Sequence, residues 1–174
     1  LGLIRERAER LRGWLDPSIL VYYAVKANPN PDLLRAMAAW TDGADVSSGG
    51  ELAAAVKAGF RPERIHFAGP GKTDAELRAA VRAGIGAISV ESPNELARLE
   101  AAASAESRIA DASVRVNPSL LIREFAIKMG GKSSAFGTDE ERLPEMLDLF
   151  SRMPHVWPRG IHVYAGTQCL DAEA

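Results

Sequence analysis

The stretch from Ala44 to Ala68, ADVSSGGELAAAVKAGFRPERIHFA, contains one full period of the grammar that decides the fold. Ala44–Ser47 is a short β-prone run. Ser48 stands three residues before Glu51, the spacing of a capping box, in which hydroxyl and carboxylate each take a backbone N–H of the first helical turn. Lys57-Ala58-Gly59-Phe60 closes the helix with a basic last turn and a glycine suited to a left-handed C-cap. Arg64–Ala68 is the next β-prone run. Strand, short loop, capped helix, glycine and strand make a βα unit, and repeating it gives a parallel sheet.

The same grammar extends in both directions. Further β-prone runs lie at Leu20–Val25, Ala87–Val90, Ser113–Val116 and Gly160–Tyr164. Thr73 with Glu76, Ser92 with Glu95 and Thr138 with Glu141 repeat the capping spacing. Pro31 and Pro93 take the first helical position, where a missing N–H is harmless. Arg82-Ala83-Gly84-Ile85 repeats the glycine stop. The class is α/β. No G-x-G-x-x-G turn follows the first strand, which favours a (β/α)8 TIM-like barrel over a doubly wound dinucleotide fold. About six βα units are predicted, whereas a whole barrel has eight, typically in about 250 residues. With a start at Leu1 inside a helical pattern and a stop at Ala174 where another helix begins, the expectation is a fragment cut at both ends.

Composition narrows the function classes. The chain has 174 residues, 47% hydrophobic and 25% charged, with net charge −2. That suits one globular domain, and it lacks the basic excess of a nucleic-acid or anionic-membrane binder. No run approaches the length of a membrane span, and Leu1–Arg12 is an amphipathic pattern unlike a signal peptide. A single cysteine, Cys169, excludes an internal disulfide and fits a reducing, cytoplasmic setting. The three histidines, His66, His155 and His162, lack helical ligand spacing, so no metal is expected.

Candidates for chemistry lie at the ends of the β-prone runs, because a barrel gathers the C-terminal ends of its strands around one pocket. Lys26 follows the apolar run Val21-Tyr22-Tyr23-Ala24-Val25; it reads either as a solvated strand-end lysine or as an amine for attack on a carbonyl. Asp45, Ser47, Ser48, His66, Glu91, Arg115, Asn117, His162, Tyr164 and Thr167 occupy comparable positions. Arg115 sits in the apolar run Val114–Val116, so burial there requires a carboxylate or phosphate partner. Asp45 reads as a holder of a neighbouring cation or as a turn residue. His162 and Tyr164 alternate on one strand face, as site residues or as a half-buried core pair. Gly69-Pro70-Gly71-Lys72 and Ala165-Gly166-Thr167 are small-residue turns able to offer backbone N–H groups to a phosphate.

These residues fall in motifs that resemble, in order, the fold-type III (alanine-racemase-like) decarboxylases, the group of diaminopimelate, ornithine and arginine decarboxylases. The motifs are Tyr23-Ala24-Val25-Lys26-Ala27-Asn28, Asp45-Val46-Ser47-Ser48-Gly49-Gly50-Glu51-Leu52, and His66-Phe67-Ala68-Gly69-Pro70-Gly71-Lys72. They continue with Val90-Glu91-Ser92-Pro93-Asn94-Glu95-Leu96, Arg115-Val116-Asn117-Pro118, Lys128-Met129-Gly130-Gly131-Lys132, Phe136-Gly137 and Gly160-Ile161-His162 through Gly166-Thr167-Gln168. Asn-Pro after the lysine motif is similar to the decarboxylase branch and unlike the alanine racemases.

The resemblance implies an amino-acid carboxy-lyase using pyridoxal 5′-phosphate, with Lys26 as the Schiff-base lysine. It places Asp45, Arg115, His162 and Tyr164 about the cofactor and Thr167 where the family usually has a phosphate-binding serine. Tyr164 departs from the pattern, since the decarboxylases usually stack a histidine there; a tyrosine ring still stacks but is not cationic near neutral pH. The Lys-Met-Gly-Gly run with an aromatic at that position is similar to a bacterial subgroup linked to exosortase clusters and to carrier-bound aminoacyl substrates. Residues 1–174 would then be part of the PLP-binding barrel domain, with the C-terminal β-domain absent from this chain and a homodimer formed at full length. The implied substrate is a small amino acid or a carrier-bound aminoacyl group, with no nucleic-acid or membrane partner. A racemase of the same fold type and a non-catalytic decarboxylase-like binding protein remain alternatives.

Overall fold

The structure, a computed structural model, describes residues 1–119, 127–128, 136–164 and 166–167, with the backbone alone for 127, 128 and 167. The motif at 129–132 and residues 165 and 168–174 lie outside the described residues.

An N-terminal helix α1 (Gly2–Trp14) precedes alternating strands and helices. They are β1 (Tyr22–Ala24), α2 (Pro31–Trp40), β2 (Gly43–Val46), α3 (Gly49–Ala58), β3 (Ile65–Phe67), α4 (Asp74–Ala83), β4 (Ala87–Val90), α5 (Pro93–Ala105) and β5 (Ala110–Asn117). Short strands β6 (Ile127–Lys128) and β7 (Thr138–Asp139), helix α6 (Leu143–Ser151), β8 (Val156–Val163) and β9 (Gly166–Thr167) follow. The sheet runs β1-β2-β3-β4-β5-β8, all parallel, with β7 against the end of β5, while β6 and β9 pair antiparallel. This is an arc of a (β/α)8 barrel, five βα units and a sixth long strand.

The helix starts fall where the sequence implies, although Ser48 and Ser92 cap without closing a box, since Glu51 and Glu95 take the N–H groups of Ser47 and Glu91 instead. Asn30 accepts from the backbone N–H groups of Asp32 and Leu33 ahead of Pro31, and Thr73 with Glu76 forms a reciprocal capping box. Gly59 and Gly84 close α3 and α4 in the left-handed region, at φ 102° and 68°. Thr138 corrects the pattern: it does not open a helix. It pairs with Val116 in β7, a 3-10 turn follows at Glu140–Arg142, and its hydroxyl is buried without a hydrogen-bond partner among the described residues. Strand pairing there overrides the local capping signal.

Alternation along the strands sets the two faces. Ala44 and Val46, Ile65 and Phe67, Ile88 and Val90, and Ala112, Val114 and Val116 are buried in the core with Leu34, Leu77, Leu96 and Leu99 of the helices. Each such leucine contributes roughly 1.5–3 kcal/mol by leaving water. The other strand face carries Asp45, His66, Ser89, Ser113, Arg115 and His162, so the lumen is polar where TIM barrels usually pack branched apolar side chains. A register shift between Ala112 and Ser113 pairs Ala112 with Pro158 but Ser113 with Gly160. The extra residue, Arg159, reverses the phase of β8 and brings His162 beside Arg115 on the lumen face.

Close packing explains one glycine. A Cβ on Gly86 would stand 2.3 Å from the backbone oxygen of Glu63, and the Gly86 N–H donates to the carbonyls of Pro62 and Ile65. Gly86→Ala is expected to destabilise the fold by about 1–3 kcal/mol through overpacking. Gly160→Ala, with nothing within 4 Å of the added atom, is expected to be far milder. Urea midpoints with unchanged m-values would check both.

Candidate active site

The strand that leads to Lys26 stops earlier than the sequence suggests. β1 ends at Ala24, and Val25–Ala27 form a 3-10 turn closed by the Asn28 N–H donating to the Val25 carbonyl. Val25 is driven into the core, so the next side chain, Lys26, emerges at the barrel mouth and is exposed. The Asn28 side chain accepts from the Asn30 N–H at 3.0 Å, and the Tyr23 hydroxyl donates to the Asn28 carbonyl at 3.1 Å. The turn carrying the amine is thus tied to the start of α2.

Lys26 opens into a cavity of about 550 Å³ with Asp45, Ser47, the Ala68–Gly71 loop, Arg115, Phe136, His162 and Tyr164. Most of the predicted site residues therefore meet in one place. Tyr164, just past β8, lies with its ring 5.9 Å from the Lys26 Nζ and 5.8 Å from the Arg115 guanidinium carbon. Arg115 is also 4.8 Å from the Phe136 ring. Two cations sharing aromatic faces make a cavity suited to an anionic, planar ligand. Thr167 is described in backbone only, where it pairs with Ile127, so its side-chain role lies outside the described residues.

Arg115 has the partner that its burial demands. Its Nη1 donates to Glu91 Oε1 at 3.2 Å, with both side chains nearly inaccessible. Glu91 also accepts from the Gly69 N–H at 2.7 Å and the Gly137 N–H at 3.0 Å. This narrows the phosphate reading of the glycine turn. The Gly69 donor is already engaged and Pro70 has none, which leaves Gly71 as the glycine N–H this turn can offer at the cavity.

A second buried pair holds the same loop from behind. Lys72 Nζ donates to the Gly69 carbonyl at 2.6 Å, the Ser89 carbonyl at 2.7 Å and Glu95 Oε1 at 2.5 Å. Burial pushes the Glu95 carboxyl above the usual carboxylate range, against the pull of the Lys72 ammonium. The sequence shows Lys72 only as part of a turn and Glu95 only as a cap. The signal was half visible: Ser92 caps the Glu95 N–H, but the Glu95 carboxylate turns to the Glu91 N–H and Lys72. Ser48 and Asn117 serve structure elsewhere, Ser48 as the cap of α3 and Asn117 as a donor to Asp139.

Beneath the amine, Asp45 Oδ1 and His66 Nδ1 are 2.8 Å apart, and His162 Nδ1 lies 2.6 Å from the Ser89 hydroxyl. The two imidazoles meet edge-to-face at 5.1 Å. Desolvation, then the neighbouring His66 and Arg115, hold the His162 pKa down to about 4 from its ordinary 6.5. The fold thus favours the neutral ring. Its contribution is complete above pH 6.5 and is lost as pH falls toward 4, because the unfolded chain takes up the proton first. Wild type is therefore expected to lose stability between pH 6.5 and 4 more steeply than His162→Gln, as read by urea unfolding across that window.

The cavity fits pyridoxal 5′-phosphate in size and donor set, having a lysine amine, an arginine, a carboxylate and a stacking ring in a volume typical of small-ligand pockets. The sequence profile described as "Pyridoxal-dependent decarboxylase, pyridoxal binding domain" matches residues 1–174. The L-glutamyl-[BtrI acyl-carrier protein] decarboxylase of Niallia circulans is 40% identical over 98% of this chain and 40% of its own length. Diaminopimelate decarboxylase of Bacteroides thetaiotaomicron is 39% identical over 89% of this chain and 40% of its own. The crystal structure of the Helicobacter pylori diaminopimelate decarboxylase with L-lysine superposes with a TM-score of 0.88 at 32% identity, covering 97% of this chain and 44% of that one. The chain spans about 40% of the length of the curated relatives it matches. With the lysine at the barrel mouth, the cavity around it and the full-length profile match in agreement, the chain belongs to the pyridoxal-dependent decarboxylases and corresponds to their pyridoxal-binding domain.

Proposed function

We propose that this domain serves a PLP-dependent carboxy-lyase acting on an α-amino acid or an aminoacyl group on a carrier, with Lys26 as the amine that holds the cofactor. One observation carries the reading: Lys26 enters a single cavity with Asp45, Arg115, His162 and Tyr164. When bound, the pyridoxal group supplies an electron sink for the bond that loses carbon dioxide. The residues supply position and charge. Glu91 fixes the Arg115 guanidinium at the cavity wall, Tyr164 offers a flat face, and Gly69 is tied by its N–H to Glu91 and by its carbonyl to Lys72. His162, neutral near pH 7, adds no positive charge of its own beside Arg115.

The Niallia circulans relative acts on a carrier-bound glutamyl group, as its name states, while an equally identical relative is a diaminopimelate decarboxylase, so identity fits both substrate classes and the carrier-bound one is chosen on the sequence motifs. That choice agrees with the resemblance to the exosortase-associated subgroup. A homodimer in the cytoplasm and a role for Thr167 at the phosphate belong to the same reading.

Full-length protein with added PLP is expected to show a visible absorbance band that borohydride abolishes, leaving a reduced pyridoxyl mass on the peptide containing Lys26. Carbon dioxide release across lysine, ornithine, arginine, diaminopimelate and carrier-bound substrates then identifies the substrate. No band and no modified Lys26 would refute the reading.

A further inference from the structure

We propose that His66 is a positioning residue for Asp45, setting the orientation in which that carboxylate meets the cofactor cavity from below. The inference rests on the functional reading of the cavity given above. It starts from two cavities that share one wall. Asp45 lines the 550 Å³ pocket of Lys26 and also a second cavity of about 430 Å³ deeper in the barrel, whereas His66 lines the lower one only. His66 thus reaches Asp45 from the side away from Lys26. The imidazole meets two residues that line the upper pocket, Asp45 by a hydrogen bond and His162 by ring packing, and of these only the hydrogen bond sets the direction of the carboxylate.

Strand register makes the contact. Asp45 and His66 are direct neighbours across the parallel β2–β3 pair, both on the lumen face. An aspartate χ2 torsion is broad, and a carboxylate in a polar lumen has other cations within reach. His66 Nδ1 at 2.8 Å from Oδ1 is the sole hydrogen-bond partner of that carboxylate among the described residues. The second oxygen is left for the pocket. An aspartate accepts only, so the Asp45 contact requires the proton on Nδ1. In the neutral ring Nε2 then accepts from the Ser113 hydroxyl, which lies 3.4 Å away.

The ring is itself braced from other strands. His162 of β8 packs perpendicular to it at 5.1 Å and is held in turn by Ser89 of β4, at 2.6 Å. A group placed by strands and locked by further strands suits the support of a binding residue, which needs its geometry kept to a fraction of an ångström.

The test uses full-length protein. In the cofactor-free form, imidazole ¹⁵N–¹H correlation spectra are expected to show His66 as the Nδ1–H tautomer, with that preference lost in Asp45→Asn. With PLP, equilibrium dialysis is expected to show about tenfold weaker binding for His66→Leu, the size of one hydrogen bond to a charged group. His66→Asn, which can place an amide N–H near the Nδ1 position, is expected to recover most of that loss. Asp45→Asn combined with His66→Leu is expected to bind no more weakly than Asp45→Asn alone, since the two act as one unit. If His66→Leu fails to fold, His66→Phe takes its place in the same cycle. An Nε2–H tautomer in the wild type, unchanged PLP binding in His66→Leu, or additive effects in the double variant would each overturn the proposal. Wild type that carries PLP on Lys26 yet ignores His66 leaves the functional reading intact, whereas wild type that takes up no PLP removes both.

Discussion

Lys26→Ala is expected to lower carbon dioxide release by at least about 10³-fold, the order lost when a group that acts on the reacting centre is removed. Folding should be untouched, because the Lys26 side chain is exposed and makes no hydrogen bond among the described residues, while its neighbour Val25 does the packing. Borohydride should no longer fix a pyridoxyl group to the chain. Lys26→Arg is expected to fail as completely. It keeps the positive charge beside Tyr164, but a guanidinium does not shed its proton near neutral pH and so gives no free amine. Thermal unfolding alongside the activity assay separates the two effects. Lys26→Arg activity within tenfold of wild type would show that charge and not an amine is the requirement, which the proposed chemistry does not allow.

The second large effect concerns stability and lies in a residue that touches no ligand. Lys72→Met is expected to destabilise the fold by about 3–5 kcal/mol, the range for removing one partner of a buried ion pair. The Lys72 and Glu95 side chains are 1% and 4% exposed, so neither finds water when the other is lost. Lys72 also donates to the carbonyls of Gly69 and Ser89, and both lose that charged donor. Lys72→Met/Glu95→Leu is expected to recover part of the loss. The uncompensated carboxyl disappears, while the two carbonyls still lack the Lys72 donor and the Glu91 N–H lacks its Glu95 acceptor. Urea unfolding of the three variants in full-length protein measures this. Because Gly69 also forms the cavity wall, PLP binding should weaken in Lys72→Met before the fold is lost.

Much of this was legible because the determining signals are local. The spacing Thr73-x-x-Glu76, the pair Asn30-Pro31, and Gly59 and Gly84 act within a few residues of themselves, and each terminates or starts a helix where the sequence implies. The β-prone runs are short but bounded by these stops, so their order and parallel pairing followed. Arg115 in an apolar run announced that it needed a partner. Thr138 shows the limit: its capping spacing is intact, yet pairing with Val116 takes the backbone into a strand. The collinear motifs point to Lys26, which spacing alone leaves as either a solvated strand-end lysine or a reactive amine.

What needed the tertiary structure is the identity of partners across the barrel. Nothing near Lys72 in the chain names Glu95, and nothing near Asp45 names His66. These contacts exist because parallel register and strand phase carry residues on different units to one face. Nor does any sequence pattern show the register shift at Ala112 and Ser113 that turns His162 inward beside Arg115. By itself the sequence determined the α/β repeat and most helix limits, since those depend on interactions within one turn or one strand, and its ordered motifs singled out Lys26. The folded chain alone decided which buried charges neutralise one another, which loop N–H groups are free, and which side chains share the cavity with Lys26. Those depend on through-space distances of a few ångströms between residues far apart in sequence, and only packing sets them.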